Sequence, residues 1–219
     1  MKHITVKGTG RASAKPDLIT LSMTLTSEDL VYEKSMSDAN EAIEKLREAL
    51  NIEGFSRDDL KTTDFSINTI FESVKDRNDE YKQVFRGFRV GHNLTLEFDF
   101  DRKRLGRVLS AIAASGTVPE FRIGFTIKDR EALSTQMLQN AVANARLKAE
   151  IIAGAAAFRL GDIISVDYSW SDVHFHSSTQ FGLRFEKMNV SSMDIDIQPD
   201  DINVNDTVTI IWEITKKVE

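Results

Sequence analysis

Ala141, Ala145, Ala149, Ala153 and Ala157 stand at a strict four-residue step, with Leu138, Val142, Ile152 and Ala156 beside them. On a helix that spacing makes one lengthwise stripe of small side chains. Such a stripe lets a helix backbone lie very close to whatever it covers. Methyl groups cannot ligate a metal, donate a proton or hold a cofactor. The feature therefore constrains architecture before chemistry. It predicts a long helix over Asp129–Gly161, closed by Gly161, with Gly154 permitting still closer approach.

What such a helix covers is written in alternating segments. Ile19, Leu21, Met23 and Leu25 oppose Thr20, Ser22, Thr24 and Thr26. Phe65, Ile67 and Phe71 alternate with Asp64, Ser66 and Asn68. Phe88, Val90, Leu94, Leu96, Phe98 and Phe100 form a third set, Phe121 to Ile127 a fourth, and Val208 to Ile214 a fifth. Period-two alternation predicts strands with one buried and one wetter face, and such sheets are largely antiparallel. A sixth strand is expected over Ile164–Trp170, and a strand-like pattern also opens the chain at Ile4.

Two more helices fit between these strands. Tyr32, Met36, Ala39, Ile43, Leu46 and Leu50 step by three and four, with Gly54 just beyond. The next helix runs from about Arg102 to Ser115, with Asp101 as N-cap and Gly116 after its end. The expected fold is α+β: two layers, a mostly antiparallel sheet covered by helices, with βαββ units that suggest duplication. It reads as one domain over 1–219, with halves 1–100 and 117–219 joined by the helix 102–115. The polar stretch Ser171–Asp206, with isolated aromatics, reads as an arm or flexible excursion.

Composition narrows the function classes. The 219 residues carry a net charge of −6, with 41% hydrophobic and 28% charged residues, values of an ordinary globular protein. An acidic chain disfavours nucleic-acid binding, which draws on a basic face. The chain has no cysteine, which removes disulfides and thiolate chemistry. No run is long enough for a membrane-spanning helix. The segment Met1–Gly8 enters a strand pattern without an apolar signal region, which predicts a cytoplasmic location, or the periplasm or cell envelope if an export leader has been removed.

Motifs that carry chemistry are few. Gly8-Thr9-Gly10 has neither the third glycine nor the following helix of a dinucleotide loop, so a turn between two strands is expected there. Glu97, Asp99 and Asp101 alternate at a strand end and are weak candidates for a hard cation. His174 and His176, at i and i+2, share a strand face and are weak candidates for zinc. Solvated surface positions explain both sets more simply, as they do the acidic group Asp194, Asp196, Asp200 and Asp201. His92, on the apolar face of its strand, fits a packed or edge histidine better than a catalytic base. No nucleophile elbow, P-loop, zinc-protease helix or kinase signature is present. No catalytic residue and no cofactor is assigned.

Several segments together resemble one family. Ile4-Thr5-Val6-Lys7-Gly8-Thr9-Gly10 with Pro16-Asp17 resembles the opening of SIMPL-domain proteins, a family catalogued as of unknown function. Lys61–Ile67 resembles its central T-x-x-F-x-I strand, and Phe121–Phe125 with Asp129 resembles the strand before its last helix. The alanines with Arg146 and Lys148 resemble that helix, and Val208–Ile214 resembles the closing strand. The resemblance spans about Ile4 to Ile214. It implies a protein like the periplasmic immunogenic proteins among the bacterial members, some of which form ring-like oligomers or are linked to oxidative stress. The family's animal founder is a signalling adaptor. The resemblance supplies no catalytic residues.

The function expected is then a non-enzymatic, self-assembling scaffold or stress-associated binding module. It is expected to be a homo-oligomer with a protein partner. Phe175, Phe181, Leu183 and Phe185 are the interface candidates, because exposed aromatics in an irregular segment suit anchors. The alternatives are a metal-binding protein or metal-dependent hydrolase, and a binder of small ligands or peptides.

Overall fold

A computed structural model describes residues 2–75, 79–168, 173–184 and 197–216. The elements run β1 (His3–Ala14), β2 (Leu18–Asp29), α1 (Tyr32–Ile52), β3 (Leu60–Lys75), β4 (Tyr81–Asp99) and α2 (Arg102–Ala114). They continue with β5 (Glu120–Thr126), α3 (Arg130–Ala155), β6 (Phe158–Asp167), β7 (Phe181–Arg184) and β8 (Ile202–Lys216). The expected α+β class is what forms. The strands make two sheets, one ordered β1-β8-β6 and the other β3-β4-β2-β5-β7. The β1–β8, β6–β8, β2–β4, β3–β4 and β5–β7 pairs are antiparallel.

The contacts divide the chain into two compact units. One is drawn from Met1–Asp17, Thr126–Ser178 and Pro199–Glu219, the other from Leu18–Phe125 and Thr179–Gln198. The first holds the three-stranded sheet and α3. Its core joins Val6, Val208, Ile210 and Trp212 to Ala141, Ala145 and Ala149. A second cluster gathers Ala12, Ile127, Leu133, Met137, Ile202 and Val204.

The Gly8-Thr9-Gly10 segment is not a turn: it lies inside β1, paired with Val208, Thr207 and Asp206. Its glycines face α3 at backbone contact. A Cβ added at Gly8 would overlap the Ala141 carbonyl and stand 2.6 Å from the Ala145 methyl. One at Gly10 would overlap the Met137 carbonyl and stand 2.6 Å from the Ala141 nitrogen. Asn144 Oδ1 accepts from the Thr9 amide at 3.0 Å, and Asn140 donates to the Arg11 carbonyl at 2.8 Å, fixing the helix along the strand.

The end of α3 differs from expectation. The helix stops at Ala155, and Ala157 takes a left-handed backbone with φ 61°. Gly161 lies within β6, where it lets Glu213 of β8 come close. Gly154 faces open space and brings nothing nearer. The expected strand at Ile164 begins six residues earlier, at Phe158, and its far end, 169–170, lies outside the described residues.

The second unit packs by larger side chains. Ile19, Leu21, Met23, Leu94 and Leu96 from the sheet meet Leu46 and Leu50 of α1 and Leu105, Leu109 and Ile112 of α2, all fully or almost fully buried. Helix α1 ends where Gly54 takes φ 83°. Asp101 caps α2, accepting from the amides of Lys103 at 2.8 Å and Arg104 at 3.2 Å. The Arg104 amide first, then the Lys103 amide and the neighbouring Arg107 and Lys103 charges, hold the Asp101 carboxyl below the usual carboxylate range against the opposing effect of desolvation.

Candidate interaction surface

Strands β3 and β4 are long, at 16 and 19 residues. Strand β2 pairs with β4 only from Asp99 back to Phe88. Beyond that point, among the described residues, β3 and β4 pair with each other, Ile70 to Gly87 and Phe71 to Phe85 through Lys75 to Tyr81, as a two-stranded ribbon. A register shift between Ile70 and Phe71 bulges the ribbon at its root. There Gly87, at φ 129°, lies against the Asp29 carbonyl, where a side chain would not fit.

One face of β3 and of the ribbon's root carries aromatic side chains; toward the tip the same face carries Ser73, Gln83 and Lys75, whose ammonium lies 5.5 Å from the Tyr81 ring centroid. The alternation at Phe65, Ile67 and Phe71 is real, but among the described residues these side chains stay partly exposed. Phe65 is 44% exposed, Phe71 55% and Tyr81 70%. The rings are contiguous: Phe71 meets Phe85 at 5.9 Å, Phe85 meets Phe88 at 5.4 Å, and Phe88 meets Tyr32 of α1 at 5.5 Å, all edge-on. Edge-on ring contacts favour order in a side-chain cluster that water would otherwise loosen. Arg86 pairs with Glu72, and Arg89 with Glu28, so the charges beside the rings are engaged in exposed ion pairs.

His92 belongs to the same face. Its ring stands edge-on to Phe65 at 5.2 Å, and its Nε2 is 2.8 Å from the Thr62 hydroxyl. Partial burial, aided by the Arg47 charge, pushes its pKa below the ordinary histidine value and favours the neutral ring. The rings from Tyr32 to Phe85 and the His92 ring are thus all uncharged, with the Arg47 charge near His92. The interface candidates expected from the sequence lie in other segments. What marks this face in the sequence is the pairing of aromatics in two consecutive long strands.

The interface candidates read from the sequence fall in different settings. Phe175 is half-buried on the Ile127, Leu133 and Ile202 cluster, and its carbonyl accepts from Thr126. Phe181 is 38% exposed, edge-on to Phe125 at 6.5 Å in β7. The Leu183 side chain and Phe185 lie outside the described residues. Within Ser171–Asp206, β7 pairs with β5, and β8 already begins at Ile202. Asp172, Asp194 and Asp196 also lie outside the described residues.

The metal candidates fall on two segments, the end of β4 with the start of α2 and the stretch before β7. His174 and His176 are exposed, and His176 makes an isolated bridge to Thr126. Glu97 accepts from Thr20 at 3.3 Å, and Asp101 is engaged as the α2 cap. Among the described residues no three of His, Asp and Glu come together as a metal site. Asp206 is a polar residue that the strand pattern did not single out. It is buried in β8, where its carboxylate accepts from the Tyr168 hydroxyl at 2.8 Å and the Thr207 amide at 2.7 Å. That bond raises the Tyr168 pKa.

Residues 4–212 match the model of the SIMPL family, described as a protein of unknown function. The chain belongs to the SIMPL family. Among curated proteins, this SIMPL chain is 26% identical over 164 residues to the 26 kDa periplasmic immunogenic proteins of Brucella melitensis and Brucella abortus. Each match covers 75% of this chain and 65% of the relative. The chain thus spans just under two thirds of the length of those relatives. No helix among the described residues is long and apolar enough to cross a membrane.

Proposed function

We propose that this SIMPL chain is a non-enzymatic scaffold that self-assembles through the aromatic face of β3, β4 and the start of α1. The supporting observation is the contiguous, uncharged set Phe71, Phe85, Phe88 and Tyr32, in which Phe88 is half-buried and the other three are exposed among the described residues, with Phe65 also exposed on β3. Contiguous exposed apolar surface of this kind marks an interaction site. A neutral face suits a second copy: two identical patches meet without opposing like charges, as a two-fold contact demands. Among the described residues β3 is an edge strand, whose outer backbone groups can extend a sheet. Phe181, also exposed, is a secondary contact in this reading.

Light scattering coupled to size exclusion tests the proposal. The wild-type chain is expected to run as an oligomer, and Phe71→Ser with Phe85→Ser to shift it to monomer with an unchanged circular dichroism spectrum. A monomeric wild type overturns the reading. An envelope location accompanies it, supported by the relatives' description as periplasmic; fractionation of the native gene product checks this. With no cysteine in the chain, a stress-associated role would run through binding and not through thiol chemistry.

A further inference from the structure

Helices α1 and α2 leave between them a groove of about 950 Å³, within the size range of small-molecule sites. Its floor is made of small residues: Ala49 from α1 and Gly106, Ser110 and Ala111 from α2. The Ser110 hydroxyl is engaged with the Gly106 carbonyl at 2.9 Å, so its donor is not available to a guest. Ile52, 83% exposed, stands at the edge as an apolar lip. A floor of this kind takes a slender apolar body.

The walls carry an uneven charge. Helix α2 has four cations and no acid, in a chain whose net charge is −6. Arg104 is turned away from the groove, stacked 4.3 Å from the Phe55 ring centroid. Arg102, Lys103 and Arg107 line the groove itself. Arg107 donates at 3.1 Å to Glu53, the residue after α1 and itself part of the lining, which fixes its place and leaves Arg102 and Lys103 as the excess positive charge at this end. Toward the other end the lining charges are Lys45, ion-paired with Glu41 at 2.6 Å, and Glu48, so no net positive charge gathers there. The α2 N-terminus is not what would hold an anion, because Asp101 already takes the Lys103 and Arg104 amides. Side-chain cations at one end and small apolar side chains along the floor are complementary to one kind of guest.

We infer that the α1–α2 groove is a binding site for an anionic amphiphile: a carboxylate or phosphate head at Arg102, Lys103 and Arg107, with a linear hydrocarbon tail over Ala49, Gly106 and Ala111. This site is separate from the aromatic face and does not depend on self-assembly.

Calorimetric titration with dodecanoate, kept below its micelle concentration, tests the site on the full chain. Dodecyl maltoside supplies the same tail without charge, and inorganic phosphate supplies charge without a tail. One dodecanoate is expected per chain, bound at least about tenfold more tightly than either control, a difference of about 1.4 kcal/mol. Arg102→Glu with Lys103→Glu should weaken binding about tenfold or more through the head. Ala111→Leu should do the same by filling the floor, with melting temperature and circular dichroism verifying the fold. Absence of saturable dodecanoate binding overturns the inference. So does equal affinity for dodecyl maltoside or phosphate, or undiminished binding in both variants. A peptide helix that binds there while dodecanoate does not would also overturn it.

Discussion

The two units cover their sheets with helices in opposite ways. In the three-stranded unit, α3 presents Ala141, Ala145, Ala149 and Ala153, all buried, to a strand with glycine at positions 8 and 10. Contact is backbone to backbone, and no side chain is long enough to adjust. In the five-stranded unit, Leu46, Leu50, Leu105, Leu109 and Ile112 interlock with Leu and Ile from the sheet. The first arrangement is intolerant of added atoms, the second of removed ones. The difference also bears on where function can sit. The close-packed unit spends its helix face on its own strand, while the other lets β3 and β4 run on into a ribbon whose rings are exposed among the described residues.

The largest effect is expected where large side chains interlock. Leu96→Ala, at a fully buried site, should cost about 2–5 kcal/mol, the lost transfer energy plus the cavity left behind. Chemical denaturation followed by circular dichroism measures it. A cost below about 1 kcal/mol would mean that this core collapses around the gap, and the contrast between the units would weaken.

Next comes the addition of atoms to the other unit. Gly10→Val should cost about 3 kcal/mol, because the new Cβ meets helix backbone that cannot swing aside. Gly91→Ala in β4 is the matched control: there the nearest atom is the Ser66 hydroxyl at 3.0 Å, the end of a side chain that can rotate. Ala149→Leu, at the middle of the stripe, should cost about 1–3 kcal/mol. Trp212 is buried in the three-stranded unit, so its fluorescence follows these two variants where they act. If Gly10→Val and Gly91→Ala melt alike, the close-approach account of β1 fails.

What was legible in the sequence follows the same divide. The bounds of α1 and α2 were readable because their signals are local: Asp101 as a cap, and Gly54 and Gly116 at positive φ just beyond the helices. The face of α3 was readable from periodicity. The role of Gly8 and Gly10 was not, because it depends on which strand α3 covers, a fact some 130 residues away in the chain. Alternation at Phe65, Ile67 and Phe71 told which side chains share a face. It could not tell whether anything covers that face, since a strand patterned for a partner looks like one patterned for a core. The candidate interaction surface was therefore written in the sequence as a strand and misread as interior.

The smallest effects separate the two sides of α3 at its end. Gly154 is helical and faces open space, so Gly154→Ala should raise stability by about 0.5 kcal/mol through helix propensity. Three residues on, the sign of the substitution reverses. Ala157 carries its Cβ in the left-handed region, where an L side chain is crowded by about 1 kcal/mol. Ala157→Gly should recover about 0.5–1 kcal/mol, less the extra freedom glycine gives the unfolded chain. The two gains should add within about 0.5 kcal/mol if each acts only on its own backbone position. A loss on Gly154→Ala would mean that this side of the helix is covered in solution. The small-residue face would then be two-sided, and α3 would be a helix packed between partners instead of a lid on one sheet.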